Sequence, residues 1–159
     1  MITSRGCPHQ CAYCSAHLVM GPSFRTRSPE AILEEMMTCQ RRYGIENFDI
    51  EDDNFTFDQE RAKRLMSLII ETFGEGKIEL SAMNGISFAS LGGELLKLMK
   101  RAGFHTINLS YVSTDPSTKE RMGRPKPATA FDRILEVAEQ IGLDVIAYAI
   151  LGMPGQTMA

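Results

Sequence analysis

An α/β fold on a parallel sheet is what this sequence of 159 residues predicts, from three features. Short apolar runs alternate with amphipathic stretches about fifteen residues long, the pattern returns every ~30–40 residues, and cap residues punctuate the stretches. Strand–helix–strand repetition with short links implies parallel strands joined by right-handed crossovers. Periodicity alone leaves a barrel-type and a doubly wound sheet equally open.

The elements follow in order. Ile2–Ser4 is the first strand candidate. The first helix opens after Ser28, an N-cap serine with Pro29 at the first helical position, presents Ile32, Leu33, Met36 and Met37, and stops at Gly44. Phe48–Glu51 is the second strand, and the second helix runs from Asp58 to Phe73-Gly74 with Ala62, Leu65, Met66, Ile69 and Ile70 on one face. Ile78–Leu80 is the third strand. A third helix extends from about Leu91 through Leu95, Leu96, Leu98 and Met99 to Gly103. Thr106–Leu109 is the fourth strand, and the fourth helix begins near Thr129, carries Ile134, Leu135, Val137, Ala138 and Ile141, and ends at Gly142. The fifth strand, Val145–Leu151, is nearly all apolar and reads as buried on both faces. It has no following helix to cover it, so the chain is expected to be a truncated domain.

Composition narrows the function classes. With 43% hydrophobic and 23% charged residues, and 20 acidic against 17 basic side chains for a net charge of -3, this is an ordinary soluble balance for one domain. No apolar run approaches the ~20 residues of a bilayer span, and no charged-then-apolar leader opens the chain, so a cytoplasmic protein is expected. The absence of a lysine or arginine block argues against nucleic acid as a partner.

Three of the 4 cysteines, Cys7, Cys11 and Cys14, are clustered while Cys39 stands apart. A disulfide within such a trio leaves an odd thiol, and in a reducing compartment clustered cysteines more often hold metal. Three thiolates are one short of a closed site. Zinc would complete a tetrahedron with His9 or His17, whereas a four-iron cluster would keep one iron open. Ligand groups in parallel α/β folds collect beyond the carboxyl ends of the strands. Gly6 to Cys14, Asp52-Asp53-Asn54, Ser81 to Gly85, Ser110 to Asp115 and Gly152 to Gly155 all fall there. Met36, Met37, Met66 and Met99 read as core filling, Cys39 as a thiol without chemistry, and Asp53 and Asn54 equally well as shapers of a strand-to-helix turn.

The spacing Cys7-x3-Cys11-x2-Cys14, with Tyr13 directly before the last cysteine, resembles the signature of the radical S-adenosylmethionine (radical SAM) superfamily. Thr3-Ser4-Arg5-Gly6-Cys7-Pro8, Asp52-Asp53-Asn54-Phe55-Thr56, Asn84-Gly85-Ile86 and Leu151-Gly152-Met153-Pro154-Gly155-Gln156-Thr157 are similar to the branch often fused to a cobalamin-binding domain. The resemblance implies a partial (β/α)6 TIM-type barrel over residues 1–159, truncated after about strand five. It implies a [4Fe-4S] cluster on Cys7, Cys11 and Cys14 that binds S-adenosylmethionine and cleaves it reductively to a 5′-deoxyadenosyl radical, with a flavodoxin or ferredoxin as electron donor and an unassigned substrate. Cobalamin enters only with an upstream domain. Tyr13 is implied near the adenine, and Asp52 and Asp53 near the methionine ammonium. Ser113 is implied at the ribose, where Val112 replaces a common glutamate, and Tyr148, Ile150 and Gly152 beside the adenine.

Overall fold

A computed structural model describes residues 1–84, 86–123 and 128–156. Gly85 and Thr157, part of two of the motifs above, lie outside the described residues, as does the side chain of Thr129. In chain order the elements are β1 (Ser4–Arg5), α1 (Ala16–Val19), β2 (Arg25–Thr26), α2 (Pro29–Tyr43), β3 (Asn47–Asp49), α3 (Gln59–Phe73), β4 (Glu79–Ser81), α4 (Gly93–Ala102), β5 (Thr106–Val112), α5 (Pro116–Arg121), α6 (Ala128–Gln140) and β6 (Asp144–Ala149), with a 3-10 turn at Phe88–Ser90 before α4.

The long helices begin and end where their caps dictate. Ser28 accepts from the Ala31 amide ahead of α2 and Asp58 accepts from Arg61 ahead of α3, while Gly44 closes α2 in the left-handed region at φ 65°. Gly103 has a second reason to be glycine: a Cβ there would lie 2.0 Å from the carbonyl of Ile78, because the end of α4 runs directly against the strand beside it. That contact carries a bond from the Leu80 amide to the Gly103 carbonyl at 3.1 Å.

Strand order separates the two architectures that periodicity leaves open. Beside β3 lies the N-terminal segment, where the Glu51 amide donates to the Met1 carbonyl at 2.8 Å. β3 pairs in parallel with β4, and β5 with β6. Between those pairs, parallel bridges at Leu80–Phe104 and Ile86–Leu109 carry the wall onward. From β3 to β6 each parallel strand thus neighbours the next, which is the winding of a barrel; a doubly wound sheet reverses its order part-way. The wall is an open arc of a TIM-type barrel.

Phe48, Ile50, Leu80, Ile107 and Leu109 point outward and are buried under Ile32 and Met36 of α2, Leu65, Met66 and Ile69 of α3, and Leu95, Leu96 and Met99 of α4. The alternate positions Asn47, Asp49, Ser81, Thr106 and Asn108 face the concave side and line an open cavity of about 460 Å³. Polar residues thus occupy most inward strand positions, with Met83 and Ile146 beside them in the hollow.

Several sequence expectations need correction: the strands expected at Phe48–Glu51, Ile78–Leu80 and Thr106–Leu109 are Asn47–Asp49, Glu79–Ser81 and Thr106–Val112. The strand over Val145–Leu151 is Asp144–Ala149, and it is not buried on both faces: Ile146 and Tyr148 are 46% and 48% exposed, because β6 pairs with β5 on one side and is the edge of the arc. The first strand is Ser4–Arg5 instead of Ile2–Ser4, with Met1 and Thr3 bonded to residues at and just after β3 instead. α4 starts at Gly93 instead of near Leu91, since the 3-10 turn takes the chain up to Ser90. No helix among the described residues is long and apolar enough to cross a membrane.

Candidate cluster and cofactor site

The cysteine loop, residues 6–24, leaves β1 and returns as β2, and the two form a short antiparallel ladder with Ser4 opposite Thr26 and Arg5 opposite Arg25. The loop's base is fastened from below. Arg61 of α3, only 8% exposed, donates from Nη2 to the Thr3 carbonyl at 2.6 Å and from Nε to the Arg27 carbonyl at 3.1 Å, so one guanidinium grips the chain on both sides of the ladder. Burial pulls the Arg61 pKa down, and the charges of Asp52 and Asp58 push back against it.

Asp52 is the second fastening. Its carboxylate accepts from the Thr3 amide at 2.6 Å, from Ser4 Oγ at 2.6 Å and from Thr3 Oγ1, all in a site where Asp52 is 2% exposed. Asp53, one residue on, accepts from the Gly6 amide at 2.9 Å, further along the same segment. Gly6 enters the loop at φ 82°, and a Cβ there would lie 2.3 Å from the Ser23 carbonyl, so only glycine lets the two arms of the loop approach so closely. The far side of the loop is held by α5: the Ala12 amide donates to the Met122 carbonyl at 3.3 Å. Asp115 caps α5 and its pKa is driven far below the ordinary 3.8, by bonds from Thr118 and then Ser117.

Inside this frame Cys7, Cys11 and Cys14 are all free thiols and all line one cavity of about 190 Å³. Cys11 is buried, and a bond from the Cys14 amide to the Cys11 carbonyl at 3.0 Å folds the last two cysteines into a turn. The Ala16 amide faces Cys14 Sγ at 3.5 Å, and Asn54 Nδ2 donates to Cys7 Sγ at 3.7 Å. Edge-to-face contacts of Phe57 with His9 at 5.7 Å and with Phe24 at 5.0 Å build an aromatic flank on the loop.

The donor set fits an iron–sulfur cubane. A cubane takes each thiolate on a separate iron and so spreads its ligands, whereas a lone zinc requires all of them within about 2.3 Å of one point. Three free thiols on one loop, lining one cavity, are the donors such a cluster takes. His9 lines the cavity while His17 does not, and the buried Nδ1 of His17 has no hydrogen-bond partner among the described residues.

A family model described as the radical SAM superfamily matches residues 1–159, the whole chain. The chain belongs to the radical SAM superfamily. An uncharacterized methyltransferase of Pyrococcus horikoshii is 31% identical to this radical SAM chain over 158 residues, covering 99% of the chain and 33% of the relative. The cytidylyl-2-hydroxyethylphosphonate methyltransferase of Streptomyces wedmorensis is 28% identical over 155 residues, 97% of the chain and 28% of the relative. Among solved structures, the radical S-adenosylmethionine methyltransferase TsrM of Kitasatospora setae, with cobalamin and a [4Fe-4S] cluster bound, superposes with a TM-score of 0.87 at 20% identity, covering 99% of this chain and 31% of that one. The radical SAM chain thus spans about a third of the length of these proteins.

Of the cofactor-contact residues expected from the radical SAM resemblance, Tyr13 and Asp53 line the cysteine cavity. Asp52 does not, its carboxylate being engaged by Thr3 and Ser4. Ser113 is buried beyond a backbone kink at Val112, a non-glycine residue at φ 75°, and lines a separate hollow with Asp115, Thr118 and Arg121. Tyr148 of β6 pairs with Ser110, which does line the cavity, and donates its hydroxyl to Asn108 Oδ1 at 3.1 Å. The Ile150 amide donates to the Val112 carbonyl at 2.8 Å, and Gly152, at φ 77°, donates to Gln156 Oε1 at 2.7 Å. Asn84, Ser87 and Ser110 line the cavity without having been singled out individually, and so does Asn54, expected only as a turn residue, because residues from separate loops carry no shared spacing. On the concave side near Asn84, burial raises Asp49, but bonds from Glu51, Ser81 and the Met83 amide outweigh it and hold Asp49 below its ordinary value; the same bond, with the Asp49 charge, raises Glu51.

Proposed function

We propose that this domain carries a [4Fe-4S] cluster on Cys7, Cys11 and Cys14 with one iron open to S-adenosylmethionine, and that it is the radical-generating core of a methyltransferase. The reading rests on one observation above all: three free thiols, on a loop braced from three sides, share one cavity with Tyr13 and Asp53. When bound, the cluster and S-adenosylmethionine supply one-electron reduction of the sulfonium and cleavage of its C5′–S bond to give a 5′-deoxyadenosyl radical.

The chain's residues bind, orient and shield. The cysteine thiolates hold three irons. Asp53 brings a carboxylate into the cavity, the charge that suits the methionine ammonium. Tyr13, 39% exposed at the cavity, offers a ring for the adenine, and the flank of Phe57, His9 and Phe24 keeps water from one side of the loop. Ser113, Tyr148, Ile150 and Gly152 are proposed to complete the cofactor's bed from the ends of β5 and β6. Methyl transfer as the overall reaction is supported by the names of the two relatives above. A cobalamin contribution requires a domain ahead of this one, and an electron donor such as a flavodoxin or ferredoxin is required to reduce the cluster.

Iron and sulfide analysis of anaerobically reconstituted protein tests the reading. Changing Cys7, Cys11 or Cys14 singly to alanine abolishes four-iron incorporation, while Cys39→Ala, on α2 and away from the cavity, leaves it intact. Full cluster content in Cys11→Ala would overturn the assignment.

A further inference from the structure

Asn54 stands in the loop between β3 and α3, where asparagine ordinarily shapes a turn or caps a helix. Its side chain does neither. Asp58 caps α3, and the Asn54 amide instead crosses 47 residues of sequence to donate from Nδ2 to Cys7 Sγ at 3.7 Å. The residue is 3% exposed and lines the cysteine cavity, and its Oδ1 is buried with no hydrogen-bond partner among the described residues.

Its neighbours hold it still. The Phe57 amide donates to the Asn54 carbonyl at 3.2 Å, Phe55 is 1% exposed and stacks on Phe104 at 6.5 Å, and Thr56 shares a 2.7 Å hydroxyl bond with Ser90. A buried amide fixed this firmly, with its acceptor unpaired, is arranged for a group inside the cavity more than for the fold.

We propose that Asn54 raises the reduction potential of the cluster through an N–H···S hydrogen bond to the Cys7 thiolate. The inference rests on the cluster assignment above. A metal-bound thiolate has no proton to give, so the amide must present its NH2 to the sulfur, as it does here. When the cluster accepts one electron from an external reductant such as dithionite, negative charge on its sulfurs rises and a donor aimed at them binds more strongly. The reduced state is therefore favoured over the oxidised one. Asn54 is a positioning residue in this account, acting through Cys7 on the cluster.

The test is a redox titration of the full polypeptide, anaerobically reconstituted and followed by electron paramagnetic resonance without S-adenosylmethionine. Asn54→Leu removes the donor without adding charge, and at a fixed potential its ratio of reduced to oxidised cluster falls about tenfold, equivalent to about 59 mV for one electron. Asn54→Asp removes the donor and adds a negative charge, so its potential falls further. A purely structural Asn54 would lower cluster content or melting temperature and leave the potential of the remaining clusters where it was. Wild-type potentials in both variants at wild-type iron content would overturn the inference and spare the cluster assignment; no cluster in the unaltered protein would overturn both. Protein labelled with 15N-asparagine gives a further check: the reduced cluster shows a nitrogen hyperfine coupling that Asn54→Leu removes, and its absence, or its persistence in that variant, would overturn the inference.

Discussion

Replacing Arg61 with methionine keeps the length of the side chain and removes the guanidinium that grips the base of the cysteine loop. The structure sets the magnitude. Arg61 donates two charge-assisted bonds, to the Thr3 carbonyl at 2.6 Å and the Arg27 carbonyl at 3.1 Å, at 8% exposure. At the lower end of the range for bonds to charged groups, about 1.5 kcal/mol each, the loss is about 3 kcal/mol. The lower end applies because the Thr3 carbonyl keeps its bond from the Arg27 amide at 3.0 Å. For a domain of this size that corresponds to a melting temperature lower by roughly 6–12 °C. The damage is directional as well. Both lost bonds lie where β1 and β2 meet, so the loop should splay before the helices melt, and cluster content should fall more steeply than helical circular dichroism. Arg61→Lys should behave nearly as badly, since a single ammonium cannot fork between two carbonyls. Thermal melts and iron analysis of both variants check this. Arg61→Met with an unchanged melting temperature and full iron content would refute the reasoning that the guanidinium braces the loop.

Further outcomes follow from single positions. Gly6→Ala meets the Ser23 carbonyl at 2.3 Å in a left-handed backbone, a strain of roughly 1–3 kcal/mol before the clash is counted, and iron loading should drop while the helical signal persists. Asp115, whose folded pKa lies well below the ordinary 3.8, contributes stability that is complete above that unfolded value and is lost as pH falls from it towards the folded one. In Asp115→Asn the stability lost across that acid interval should shrink, as read by melts from pH 5 downward.

The helix ends are legible in the sequence because caps are local: Ser28-Pro29 and Gly44, Asp58 and Gly74, and Gly142 each act within a turn of their own position. The short elements are not. β2 is two residues held by pairing with β1, and α1 and α5 are a turn or two long, too short for any periodicity to register. The exposure of β6 is illegible for a different reason: an apolar run looks the same in the middle of a sheet as at its edge, and only the neighbouring strands decide which it is. At the site, the cysteine trio is legible because its three ligands lie on one short loop. The division of labour between Asp52 and Asp53 is set by the register of the chain beside Thr3 and Gly6, nearly fifty residues away. Asn54 shows no sign of its contact with Cys7, for the same reason.

The most direct test of the account is the electron paramagnetic resonance spectrum of the reduced, reconstituted protein before and after addition of S-adenosylmethionine. If the cavity of Cys7, Cys11 and Cys14 holds a cluster with one iron open to the cofactor's amino and carboxylate groups, as proposed, a brown protein with about four iron and four sulfide per chain should give a cluster signal whose g values shift on addition. A colourless protein with one bound zinc, or a reduced cluster whose spectrum is untouched by saturating S-adenosylmethionine, would contradict it.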